Sequence, residues 1–130
     1  MKFVETNYLN PQKSIVKFPD HYVAIAVTVD DTGVVANADG KKIVKAGTIV
    51  GGGVLADDTK KVTKKNGAGA TGEAGSAVDA EGVLFHDVDV TYGPNSGAML
   101  IHGFVDLNKL PEAPHTNAVT ALAGRILFVK

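Results

Sequence analysis

The sequence predicts a mainly β protein: a small, single-domain, sandwich- or barrel-like β-rich fold with one short C-terminal helix and an extended N-terminal arm. Three observations carry that prediction. Only 6% of the 130 residues are aromatic, tryptophan is absent and 15 glycines are spread along the chain, which suits short strands and turns packed through Val, Ile, Leu and Ala. Apolar residues recur at period two in "HYVAIAVTVDD", where Val23, Ile25, Val27 and Val29 share one face. Two strand-like runs, Gly82 to Tyr92 and Ala98 to Leu107, flank the turn-forming "GPNSG" and predict a hairpin.

The elements follow in order. Residues 1–20 lack a sustained period, Pro11 and Pro19 interrupt them, and they read as an extended arm with Phe3, Val4, Tyr8 and Leu9 as apolar anchors. Residues 21–130 form the β-rich domain. Its first strand, Tyr22 to Val29, is ended by Asp30, Asp31 and Gly33. Asp39-Gly40 favours a tight turn into a short strand, Lys41 to Lys45, and Ala46-Gly47 turns again before an extended Thr48 to Val50. Gly51, Gly52 and Gly53 then loosen the chain. From Asp57 to Asp79 large apolar residues almost vanish, which predicts a long, mobile Gly- and Lys-rich surface loop. Beyond the hairpin, Thr116 is the expected N-cap of a helix through Leu122, Gly124 stops it, and Arg125 to Val129 form a closing strand.

Composition narrows the function classes. Thirteen Lys and Arg balance fourteen Asp and Glu, for a formal net charge of −1. A nucleic-acid partner is not expected, because such binders usually need a basic excess to neutralise phosphates. The one basic cluster, Lys60, Lys61, Lys64 and Lys65, has no interleaved aromatics and reads as a solvated loop. Cysteine is absent, so disulfides and thiolate metal sites are excluded. The opening "MKFVETNYLNPQKS" has no apolar run of secretory-leader length and no later segment could span a bilayer, so synthesis in a cytoplasm and no membrane partner are expected.

One stretch imitates a cofactor motif. In "KKNGAGATGEAG", Gly67, Gly69 and Gly72 spell G-x-G-x-x-G. A dinucleotide loop needs a buried strand before its glycines and a helix after them, whose N-terminal amides meet the pyrophosphate. Here "KKVTKKN" precedes and "EAGSAVDAEG" follows, so neither partner is expected and the match reads as glycine-rich loop composition.

Catalytic constellations fare similarly. His86, Asp87, Asp89 and His102 could be imagined around a metal, but His86 points away from the two aspartates along a strand. Ser14, Ser76 and Ser96 lie in arm or loop sequence without a nucleophile turn. Asp30-Asp31 and Asp57-Asp58 are adjacent pairs that favour turns. The expectation is a protein that is not an enzyme, with no catalytic, cofactor or metal site.

"AVDAEGVLFHDVDVTYGPNSGAMLIHGFVDLNKLPEA" followed by "ALAGRILFV" resembles the head decoration proteins of tailed bacteriophages, the lambda-type capsid-stabilising family. The shared order is a strand start at Gly82-Val83-Leu84, a paired strand ending in "HGFVDLNKLPE", a short helix, and a final strand after Ala123-Gly124. The upstream "GKKIVKAGTIVGG" is similar to a segment of related phage head proteins, including head fibres. The resemblance spans about residues 40 to 130; the Tyr22 to Val29 strand departs from it.

That resemblance implies a homotrimer on the outer surface of a virion head, assembled in the host cytoplasm, with the major capsid protein as partner. It implies that the subunit clamps and stabilises the expanded shell, and that Phe3, Val4, Tyr8 and Leu9 of the arm are capsid contacts, added as a strand to a partner's sheet. Two alternatives stay open: the base of a head fibre or adhesion module displaying a host- or glycan-binding surface, and a small nucleotide-binding protein or enzyme.

Overall fold

The computed structural model describes residues 14–130. Among these residues, eight strands, one α-helix and two short 3-10 turns form a β-rich domain. Strand β1 spans Tyr22–Val29, β2 Ile43–Val44, β3 Ile49–Gly51, β4 Lys61–Lys64, β5 Gly82–Leu84, β6 Val88–Asp89, β7 Asn95–Asp106 and β8 Ile126–Val129; α1 spans Thr116–Leu122.

Five strands close on themselves. The order β1-β4-β3-β5-β7 is completed by a β7–β1 pairing, so these strands make a small barrel without a free edge among them. Strand β8 extends the sheet from the far end of β7, running parallel to it from Gly103↔Ile126 to Asp106↔Val129. Strands β2 and β6 form a separate antiparallel pair.

Adjacent residues on the barrel strands serve two different cores, as alternation along a strand requires. Val50, Leu84 and Met99 join Val27, Val29 and Val62 in one apolar cluster. Their neighbours Ile49, Val83 and Leu100 join Ala118 and Leu122 of α1 and Ile126 of β8 in the other. Strands β3 and β5 are therefore buried on both faces, which explains their unbroken apolar runs.

The twelve-residue β7 organises both cores, and a bulge lets it do so. Val23 pairs with His102 but Ala24 pairs with Leu100, leaving Ile101 as an extra residue. Leu100 and Val105 are five apart, an odd spacing, yet both are buried in the helix-side cluster. The bulge supplies the frame shift and turns His102 onto the face of Phe104.

Several expectations need correcting. The stretch from Asp57 to Asp79 contains strand β4, which pairs with β1 in parallel and β3 antiparallel and buries Val62 completely. Val62 is the one apolar residue of "KKVTKKN", and its burial explains why one suffices for the strand. Gly51 to Gly53 do not loosen the chain: a Cβ at Gly51 or Gly52 would collide with the Asp79 or Lys61 carbonyl. The run from Gly82 to Tyr92 is split, because β5 pairs with β7 whereas β6 leaves to pair with β2. "GPNSG" is thus no tight hairpin turn, and β7 already begins at Asn95 within it. The helix N-cap is His115, one residue before Thr116, with its Nδ1 accepting from the Asn117 amide at 3.1 Å. Gly124, with φ +86°, ends the helix. Within the residues read as an arm, Ile15 and Val16 are buried, and Val16 bridges Val105 on β7.

Candidate functional site

The glycine-rich stretch is tied down by its own hydrogen bonds. Asn66 closes β4 and pins the segment before α1, donating to the Glu112 carboxylate (2.7 Å) and the Ala113 carbonyl (3.0 Å) while accepting from the His115 amide (2.7 Å). The Gly67 amide donates to the Gly75 carbonyl (2.9 Å), the Ala70 amide to Glu73 (3.0 Å) and the Gly72 amide to Asp79 (2.8 Å). The amides that would cradle a phosphate are thus spent on internal acceptors, two of them carboxylates that repel an anion. Ser76 is buried, with its hydroxyl donating to the Gly69 carbonyl at 3.1 Å. Contrary to expectation a strand, β4, does precede Gly67, but a 3-10 turn, Ala77–Asp79, follows instead of a crossover helix.

A real anion nest exists, and the protein fills it itself. The Gly52, Gly53 and Val54 amides converge on Glu81 Oε1 at 2.8, 2.5 and 3.0 Å, and the Leu55 amide donates to Oε2 at 3.0 Å. Burial pushes this carboxyl up, but the amides of Leu55, Gly52, Val54 and Gly53 outweigh it and hold Glu81 below its ordinary value. Sequence reasoning missed this pairing because a carboxylate 26 to 29 residues away gives no local signal.

The other carboxylates shape turns. Asp57 and Asp89 are held below their ordinary values first by the hydroxyls of Thr59 and Thr91, and each also accepts that threonine's amide. Asp30 caps Thr32 in the same Asp-x-Thr pattern. Asp87 accepts from the Ala46 amide at 2.7 Å. Of the imagined metal cluster, His86 stacks edge-on against Phe85, whereas His102 meets His21. Among the described residues no group of three or more His, Cys, Asp or Glu could hold a metal ion. Ser96 lies on β7 beside Thr28, and Ser14 caps the Val16 amide.

A cleft of about 360 Å³ opens between the β1 end, β2 and the Pro111-Glu112 segment. Its floor is apolar, through Val29, Ile43, Val44 and Val50. At its rim Lys64 pairs with Glu112 at 2.9 Å, and Asn66 first, then Lys64, hold Glu112 below its ordinary value.

The most unusual surface lies where residues 14–23 meet β7 and β8. By register and alternation, Val23, His102, Phe104 and Leu127 share the outward face, with Leu127 opposite Phe104. Phe18 packs edge-on against Phe104 at 5.2 Å. Phe18, Val23 and Leu127 remain 50%, 49% and 50% exposed, which leaves a contiguous apolar patch rather than scattered apolar residues. The opposite face of the same strands, with Val105 and Ile126, is fully covered by α1 and its neighbours. The four expected contacts, Phe3, Val4, Tyr8 and Leu9, lie outside the described residues. Sequence reading missed the patch because Phe104 and Leu127 sit on strands that look equally buried on both faces.

The chain matches no protein-family model. No curated protein matches it in sequence. No helix among the described residues is long and apolar enough to cross a membrane.

Proposed function

We propose that this chain is a structural virion protein without catalytic activity, a homotrimeric decoration subunit that binds the outside of a tailed-phage head and stabilises the expanded shell. The observation that carries the proposal is the outward apolar patch of Phe18, Val23, Phe104 and Leu127 at the root of the N-terminal segment. Two of its four residues, Phe104 and Leu127, belong to the sequence, "HGFVDLNKLPE" to "ALAGRILFV", that resembles the lambda-type decoration family. A patch of this kind favours a protein partner, because burying it removes apolar surface from water at about 25 cal/mol per Å².

The chain's route supports the same partner. Val16 makes an isolated antiparallel bridge to Val105 of β7, flanked by the Lys17 amide donating to the Phe104 carbonyl and the Asp106 amide to the Ile15 carbonyl, both at 2.8 Å. In this reading the arm bearing Phe3, Val4, Tyr8 and Leu9 adds as a strand to a capsid subunit's sheet. Many copies on one shell make modest single-site affinity sufficient, since any ligand of the assembled state stabilises it by mass action.

Co-sedimentation with expanded, undecorated heads of the cognate phage tests the proposal. Wild type should pellet with heads, and both Leu127→Asp and deletion of residues 1–13 should weaken that binding. The deletion stops short of Ile15 and Val16, which belong to the core. Wild type that remains in the supernatant, or binding unchanged in both variants, would refute it.

A further inference from the structure

We propose that His21 and His102 form a two-imidazole site for a divalent first-row transition-metal ion, with Cu2+ and Ni2+ the best-suited ions. His21 lies just before β1 and His102 on β7, 81 residues apart, and their Nε2 atoms stand 3.0 Å apart at the surface. The juxtaposition is built into the fold. Tyr22 pairs with Gly103, so His21 lies across from Phe104 and diagonal to His102. The Ile101 bulge turns His102 onto that face; without it, the ring would follow Leu100 toward the helix-side core.

Aromatic packing limits how the His21 ring can turn. It packs at 5.8 Å against Phe104, which also packs edge-on against Phe18 at 5.2 Å. The His21 amide donates to the Phe18 carbonyl at 3.2 Å, closing the turn that presents the ring.

The spacing fits a chelate. Two nitrogens each about 2.05 Å from one ion lie about 2.9 Å apart at a right angle and about 3.3 Å apart at the tetrahedral angle. The observed 3.0 Å matches adjacent positions of a square-planar or octahedral ion and lies a few tenths short of a tetrahedral one. The ring centroids, 4.9 Å apart, agree with two rings whose nitrogens point at a common centre. In the metal-free pair one ring donates its Nε2 proton to the other; on binding, the donor ring moves to its Nδ1-protonated tautomer and both Nε2 lone pairs face the ion. Water completes the coordination, since the protein offers two ligands here. Mg2+ and Ca2+ are excluded by chemistry, because they take oxygen ligands. A bound ion ties the Phe18–His21 turn to β7. This inference concerns the isolated protein and stands whether or not the chain binds a capsid.

Tag-free, full-length protein titrated with Ni2+ by calorimetry in a non-chelating buffer tests it. One Ni2+ should bind per chain, and His21→Gln or His102→Gln should each weaken it about tenfold or more, since the second imidazole acts as a tethered ligand. His86→Gln should leave it unchanged, and excess Mg2+ should not compete. Paramagnetic broadening of the wild-type histidine ring signals gives a second readout that needs no variant: Cu2+ should broaden His21 and His102 first. Affinity unaffected by both substitutions, or broadening centred on His86 or His115, would overturn the proposal.

Discussion

Replacing Glu81 tests the folding logic where the sequence is least informative. Its carboxylate accepts four consecutive amides, from Gly52 to Leu55, and so fastens the β3–β4 connection to the start of β5. A hydrogen bond to a charged group contributes about 1.5–3 kcal/mol when isolated. Three of these share one oxygen, and the group is partly exposed, so water replaces some of what is lost and the sum must be discounted. Glu81→Gln keeps the shape but loses the charge, and sets its side-chain N–H2 against the Leu55 amide or, flipped, against the other three. The expected cost is about 2 kcal/mol, which lowers the midpoint of a 130-residue domain by about 8 °C.

The pH dependence gives the sign. Glu81 is held below its ordinary value in the folded state. Its contribution is therefore complete above the unfolded value, about 4.3, and is lost as pH falls through the lowered folded value. Thermal melts of wild type and Glu81→Gln from pH 7 to pH 3 read this directly. The two midpoints should differ most near neutrality and converge in acid. A gap that is absent at pH 7, or that widens in acid, would refute the nest as a stabilising element.

Other substitutions read other parts of the fold. Gly82→Ala would drive a Cβ into the Leu100 carbonyl and within 2.6 Å of the Met99 side chain, and should cost about 2–3 kcal/mol in urea unfolding. Leu122→Ala empties a fully buried position beneath β8 and should cost about 3 kcal/mol with an unchanged denaturant slope. Leu127→Asp, on the outward face, should shift stability by no more than about 1 kcal/mol while weakening head binding, a separation that fails if the residue is core. Lys64→Ala removes only an exposed ion pair and should move the midpoint by less than about 2 °C in a thermal melt.

Much of the architecture was legible in local pattern. Tyr22–Val29 emerged with both bounds, because period-two Val and Ile residues signal a strand with one face inside. The helix ending at Leu122 and the strand after Gly124 were readable from helix punctuation. What escaped depends on partners distant in sequence. Strand β4 has one buried apolar residue, Val62, and exists because β1 and β3 bracket it. Gly51 and Gly52 read as loose because the Asp79 and Lys61 carbonyls that require glycine there lie beyond any local window. The His21–His102 pair was equally hidden, since it depends on a one-residue bulge that shifts β7 by half a strand repeat. The outward face of Phe104 and Leu127 could be assigned only once α1 was seen to cover the other side.

The measurement closest to the central claim is sedimentation of the purified full-length protein, alone and with expanded, undecorated heads of the cognate phage. The expected result is three times the 13.5 kDa chain mass in solution, with saturable pelleting on heads that Leu127→Asp reduces. A monomer that leaves heads bare would contradict it.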